Sequence, residues 1–239
     1  AANDPGTIDY NSYGINDALI IDNTGVSRDR EGLSKHLKSK GASKVLLTAP
    51  GKGDIPNIVY GVNEENFDHH TETIFSAASC TTNAIVPVLA VIEKSLGIEK
   101  GHIETIHSYT NDQNLLDNYH KKYRRGRSAA LNMVITETGA DKAVAKVLPP
   151  LAGKLTGNAV RVPTPDVSLA ILNLTVQKET TKDGVNEILK NAAFNGPLVE
   201  QIQYSVSNEL VSSDLVGNPC ASIVDSPATI VSKDNKSMV

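Results

Sequence analysis

Residues 73–92 read TIFSAASCTTNAIVPVLAVI. The apolar residues at 73–76 give way to small polar ones at 79–83, and then Ile85, Val88, Leu89 and Ile92 recur at helical intervals. The stretch predicts a strand, a polar junction and a helix, with Cys80 in the junction. Pro87 is expected in the first turn or so of that helix, where a missing N–H matters least. Residues 84–92 form the longest apolar run, nine residues against the roughly 20 that a membrane span needs, so no membrane association is expected.

Towards the N-terminus, residues 1–16 are rich in Asn, Asp, Gly and Ser, and an apolar run at 18–21 predicts a strand. Thr24-Gly25 ends it. Leu33 and Leu37, four apart among charges, predict a helix over 28–40 with a stop at Gly41, and residues 44–48 (KVLLT) predict a second strand. Strand, helix and strand make a βαβ unit, which favours parallel pairing. Shorter strands are expected at 58–61 and 73–76. No glycine-rich phosphate turn follows the first strand, so the dinucleotide fingerprint is missing from this part of the sequence.

Towards the C-terminus the pattern changes. A strand at 102–107 leads into a long polar and basic loop at 108–127, and loops of that length are often functional. A helix at 141–147, a long strand signal over 159–178, a helix at 185–194 and strands at 202–206 and 221–224 follow. Longer strands with separate helices indicate an α+β domain on a mostly antiparallel sheet. The seam between the two halves falls near Cys80.

The 239 residues are 40% hydrophobic and 21% charged, a composition that folds around cores and excludes a disordered chain. A net charge of −4 provides no overall field for nucleic acid, so no dedicated nucleic-acid site is expected. Cys80 and Cys220 lie far apart and nothing ahead of them reads as a signal peptide, which points to a reducing, cytoplasmic setting.

Cys80 follows a strand and precedes a helix, where unpaired N–H groups and the helix dipole favour the thiolate. Position alone leaves it either a nucleophile or a small buried hydrophobe. His107 ends the next strand and is its candidate base, or else a structural donor. Lys121, Lys122, Arg124, Arg125 and Arg127 form the densest basic cluster, either a solvated loop or an anion site. Arg161 interrupts an apolar strand and so calls for an anion or an acidic partner. His69 and His70, being adjacent, are expected to diverge with no third ligand nearby, so no metal site is expected.

The strings SAASCTTNA, TIHSYTNDQ, RRGRSAALNMVITETGADKAVAKVLP, GKLTGNAVRVPTPDVS and SSDLVGN, in that order, resemble the phosphorylating glyceraldehyde-3-phosphate dehydrogenase family. The resemblance extends from DNTGV and LLTAPGKGDIPNIVYGVN onward. It implies an α/β partial Rossmann-type parallel sheet followed by an α+β catalytic domain with a mostly antiparallel sheet. Residues 1–79 would be the second half of an NAD-binding domain and 80–239 the catalytic domain. The implied activity is oxidative phosphorylation of glyceraldehyde 3-phosphate to 1,3-bisphosphoglycerate by NAD and inorganic phosphate, through a thiohemiacetal and an acyl-thioester on cysteine.

By the same resemblance Cys80 is the nucleophile and His107 its base. Thr110 and Arg161, with Arg125 shared, would hold the substrate's phosphate. Ser79, Thr81, Thr138 and Gly139 would surround the attacking inorganic phosphate. Thr24, Gly25, Thr48 and Pro50 fall on the adenosine and ribose side of the cofactor, and Asn111 lies near the nicotinamide. A homotetramer is implied as well.

Ala84 stands where the family usually has a second cysteine, which rules out a resolving thiol there. Asn118-Tyr119 stands where NAD-specific members often show Leu-Pro, so NADP remains open beside NAD. The glycine-rich turn and a C-terminal Asn of the family do not occur in these 239 residues. The expectation is an internal portion of a longer protein, which alone binds NAD poorly and turns over little substrate. Alternatives are erythrose-4-phosphate dehydrogenase and a non-catalytic interaction fragment of the same fold.

Overall fold

The computed structural model describes residues 3–239 and divides into two compact units, the first ending at Asn83 and the second being Ala84–Val239. In the first unit β1 (Ala18–Asp22), β2 (Ala42–Leu47) and β3 (Ile74–Ser76) form a parallel sheet in that order. Parallel neighbours need a crossover, and the chain makes it with α1 (Arg30–Leu33) and a 3-10 segment, Ser34–Lys38. The single helix expected over 28–40 is therefore one α turn that tightens. Gly32 and Ser34 in its middle are weak helix formers, while the Asp29 side chain caps only the first turn by accepting from Gly32 N–H. Leu33 is fully buried with Val45, Leu47, Ile55 and Ile74, and Leu37 packs against them, so both apolar positions still serve the core.

Gly41 closes the crossover at φ +87°, and a Cβ there would lie 2.4 Å from Asn11 Oδ1, so only glycine fits. The strand expected at 58–61 is absent. Only Asn57 bridges to Ser76, after which Asn63 captures the backbone: its Oδ1 accepts from Val59 N–H at 2.8 Å and its amide donates to the Asn57 carbonyl at 2.9 Å. A side chain that bonds nearby backbone in this way competes with a sheet ladder.

Helix α2 (Cys80–Leu96) opens in the last residues of the first unit and continues into the second. It starts four residues before the expected 84, which places Pro87 inside the helix rather than in its first turn.

The second unit is built on a five-stranded sheet of β4 (Ile98–Ser108), β5 (Val134–Thr136), β6 (Leu155–Val162), β7 (Leu169–Val176) and β10 (Ser237–Met238). The order is β10-β7-β4-β6-β5, and only the β4–β6 pair is parallel. Helices α3 (Ala140–Val147) and α4 (Lys182–Phe194) complete the mixture, with a separate parallel pair, β8 (Ile202–Ser205) and β9 (Ser222–Asp225). The long strand signal over 159–178 is two strands. Pro163 and Pro165 cannot donate to a ladder, and Val167 adopts φ +63° between them and β7. The three-residue β5 gave no sequence signal.

The architecture is thus a partial parallel α/β sheet followed by an α+β unit with a mostly antiparallel sheet. Among the described residues no helix is long and apolar enough to cross a membrane.

Candidate active site

In the first unit, β3 ends in a tight corner that presents the head of α2. Ala78 is buried and held at φ +58°, a left-handed conformation that costs a non-glycine residue energy, and its N–H donates to Ser76 Oγ at 3.0 Å. Ser79 is the helix cap: its Oγ accepts from Thr82 N–H at 3.0 Å and its carbonyl accepts from Asn83 N–H at 2.9 Å. The Asn83 amide donates to the Ala77 and Ser79 carbonyls at 2.7 and 2.9 Å, which locks the corner. Cys80 is consequently the first helical residue and is exposed, with Thr81 Oγ1 4.0 Å from its sulfur. The corner spends local strain to hold a thiol at the positive end of a long helix.

Thr24, Gly25, Thr48 and Pro50 follow the carboxyl ends of β1 and β2, the edge of a parallel sheet where ligands bind in open α/β folds. Asp22 organises this edge, and sequence reasoning missed it. It is buried, with one carboxylate oxygen accepting from Thr24 N–H and Oγ1, both at 2.8 Å, and the other 3.1 Å from His36 Nε2. Burial would raise its pKa, yet the hydrogen bonds from Thr24 and the nearby His36 hold it below the ordinary carboxylate value. Gly25 sits at φ +73° with open space where a Cβ would be.

In the second unit the parallel β4–β6 register sets His107 directly beside Arg161. The Arg161 Nη1 lies 2.8 Å from His107 Nδ1, 3.0 Å from the Ser108 carbonyl and 3.3 Å from Thr110 Oγ1. Thr110 donates to Asp112 Oδ1 at 2.8 Å, and the other Asp112 oxygen pairs with the buried Arg125. Burial would raise the Asp112 pKa, but the Thr110 hydrogen bond and the charges of Arg125 and Arg161 bring it below the ordinary value. His107, Thr110, Asp112, Arg125 and Arg161 therefore form one continuous group. Asp112 is its unforeseen member, and its place two residues after Thr110 in a basic loop was the only available signal.

Thr138 and Gly139 open α3: Thr138 Oγ1 accepts from Ala140 N–H at 3.2 Å, and the Gly139 carbonyl accepts from Ala143 N–H at 2.9 Å. Asn111 is exposed in the loop. The basic cluster does not act as a body, because Lys121, Lys122, Arg124 and Arg127 are exposed and only Arg125 turns inward. Arg127 pairs with Asp117 at 3.2 Å and Lys122 with Glu137 at 3.8 Å. His69 and His70 do not diverge. A turn closed by bonds to the Asp68 carbonyl brings their ring centroids to 4.0 Å, and with Asp68 they form an exposed three-residue group able to hold a metal ion.

A family match covers the α+β unit and the head of α2. Residues 79–239 match the family description "Glyceraldehyde 3-phosphate dehydrogenase, C-terminal domain". The chain belongs to the glyceraldehyde-3-phosphate dehydrogenase family. It is 58% identical over 98% of its length to a glyceraldehyde-3-phosphate dehydrogenase-like protein of Pseudomonas aeruginosa, covering 50% of that protein. It is 50% identical over 89% of its length to glyceraldehyde-3-phosphate dehydrogenase 2 of Trichormus variabilis, covering 62%. With the glyceraldehyde-3-phosphate dehydrogenase of Priestia megaterium it shares 43% identity over 98% of its length, covering 69%. The chain thus spans about half to two thirds of the length of these relatives.

Proposed function

We propose that the chain carries the catalytic portion of a glycolytic, NAD-dependent glyceraldehyde-3-phosphate dehydrogenase. On this reading residues 1–79 are the second half of the cofactor domain and residues 80–239 the catalytic domain. The observation that supports it best is the group in the second unit, where two arginines and a threonine converge beside a strand-end histidine. Guanidinium and hydroxyl donors in that arrangement suit a phosphate monoester.

In the proposed reaction the Cys80 sulfur attacks the aldehyde carbon, and its proton passes by way of His107 to the carbonyl oxygen, giving a thiohemiacetal. Arg161, Thr110 and Arg125 hold the substrate's phosphate during this step. His107 then takes the hydroxyl proton as the carbon loses its hydride, leaving an acyl-thioester on Cys80. NAD, when bound, is the hydride acceptor. Inorganic phosphate, held by Ser79, Thr81, Thr138 and Gly139, attacks the acyl carbon; the C–S bond breaks and the thiolate is restored. Thr24, Gly25, Thr48 and Pro50 contribute to the adenosine side of the cofactor site, with Asn111 towards the nicotinamide. The exposed Leu115, Leu116, Tyr119 and Tyr123 of the long loop are consistent with a neighbouring subunit in a homotetramer.

The test needs no cofactor. Cys80 is alkylated with iodoacetamide in the presence and absence of glyceraldehyde 3-phosphate. Protection of Cys80 by this aldehyde in wild type, and its loss in Arg161→Gln, is the expected result. Equal protection in both proteins refutes the assigned phosphate site, and stronger protection by erythrose 4-phosphate would identify the longer sugar as substrate. A thiol that the aldehyde never protects would leave a non-catalytic fragment.

A further inference from the structure

The turn at Asp68, His69 and His70 takes no part in the reaction proposed above, yet its three side chains come together. The cause is local. The Asp68 carbonyl accepts from Glu72 N–H at 2.9 Å and from Thr71 N–H at 3.3 Å, which closes the turn. The Asp68 side chain closes it a second time: Oδ1 accepts from His70 N–H at 2.8 Å and Oδ2 from Thr71 Oγ1 at 3.1 Å. Successive side chains on a strand point to opposite faces, whereas this turn leaves the two imidazoles 4.0 Å apart between ring centroids, tilted by 40°. One nitrogen of each ring and one Asp68 oxygen all lie within 4.8 Å of one another.

The far end of the turn is fixed as well. Glu72, whose N–H closes the turn, is gripped by the Arg30 guanidinium at 2.9 and 3.0 Å, and its Oε1 accepts from Thr73 and Ile74 N–H at the start of β3. The backbone that carries the three groups is therefore set before any ligand arrives. Each Asp68 oxygen has one hydrogen bond, which leaves each a second lone pair for a further partner.

Two imidazole nitrogens and a carboxylate oxygen suit zinc and its first-row neighbours, whereas Ca2+ and Mg2+ take oxygen ligands. Ligands about 2.0–2.2 Å from a tetrahedral ion lie about 3.4 Å from one another. From 4.8 Å the group must close by up to about 1.4 Å. All three residues are exposed, so rotation about their own side-chain bonds can supply that closure.

We propose that Asp68, His69 and His70 form a binding site for a late first-row divalent cation, represented by Zn2+, with water completing the coordination. The ion ties the turn to the start of β3, and because it binds the folded turn it stabilises the first unit by mass action. The site shares no residue with the proposed catalytic groups, and its test is independent of the dehydrogenase reading.

The experiment titrates Zn2+ into the untagged whole chain by isothermal calorimetry, with Cys80 and Cys220 first alkylated so that no thiolate competes. One equivalent should bind. His69→Asn, His70→Asn and Asp68→Asn should each weaken binding by at least about tenfold, since changes one shell further out already cost about 10–100-fold. Asp68→Asn keeps an oxygen acceptor for His70 N–H, so its effect reports the carboxylate and not the turn, and far-UV circular dichroism checks that each variant is folded. His120→Asn, outside the turn, should bind as wild type does. With Co2+ as the probe, a visible d–d band should appear in wild type and be lost in both histidine variants of the turn. Absence of binding to wild type, binding by the three variants equal to wild type, or half an equivalent per chain, which means an ion shared by two copies, overturns the site.

Discussion

Replacing Glu72 with Gln tests how the first unit is tied together. The Glu72 carboxylate accepts two bonds from the Arg30 guanidinium, at 2.9 and 3.0 Å, and two more from Thr73 and Ile74 N–H at 2.8 and 3.0 Å. It thereby pins the start of α1 to the start of β3, 42 residues away. The Arg30 hydrogen bonds, outweighing burial and helped by the two backbone donors, bring its pKa from 4.5 to about 2. At 1.36 kcal/mol per pKa unit this sets a ceiling of about 3.4 kcal/mol. Arg30 is 36% exposed and Glu72 22%, so solvent screening reduces the expected contribution to about 1–2 kcal/mol. A carboxylate whose folded pKa is depressed stabilises above its unfolded pKa and loses that effect as pH falls through the folded value. The gap between wild type and Glu72→Gln is therefore full at pH 7, with about two fifths of it left at pH 3. Urea unfolding followed by far-UV circular dichroism should show the midpoint lowered by roughly 0.5–1 M at pH 7, for an m-value of about 2 kcal/mol/M. An unchanged midpoint at pH 7, or a gap of the same size at pH 3, refutes the reasoning.

Ser79→Ala removes the cap of α2 and should cost about 1 kcal/mol in urea unfolding while slowing alkylation of Cys80; an unchanged alkylation rate would show that the cap does not position the thiol. Asp112→Asn removes the charge opposite buried Arg125, so the melting temperature should fall, and added phosphate should raise it more in the variant than in wild type, because phosphate no longer competes with the carboxylate. Gly126→Ala places a Cβ 2.4 Å from the Asn118 carbonyl, and overpacking of that kind should destabilise the loop by about 1–3 kcal/mol, read as faster proteolysis between 109 and 133. Leu33→Ala hollows the first unit's core and should cost about 2–5 kcal/mol by urea unfolding.

The parts of the molecule that were legible are those with a local cause. The apolar run at 18–21, the helical spacing after Ala84 and the break at Gly41 each reflect a hydrophobic pattern or a backbone restriction carried by a few neighbouring residues. The junction around Cys80 was legible for the same reason, although capping by Ser79 moved the helix start forward by four residues. Errors arose where a local preference met a local competitor. Asn63 took the backbone that would have made a strand at 58–61, and Gly32 and Ser34 loosened the helix that Leu33 and Leu37 suggested.

The sequence by itself determined a βαβ beginning, a cysteine at a helix head, a histidine at a strand end and an arginine placed where apolar residues were expected. Only the tertiary structure decided that Arg161 stands beside His107, that Asp112 enters the arginine group and that Asp22 meets His36. A side chain's period shows which face of its own element it occupies. Which residue lies opposite depends on strand register and loop closure, set by packing over the whole unit, and those pairings create the charge and hydrogen-bond geometry of the site.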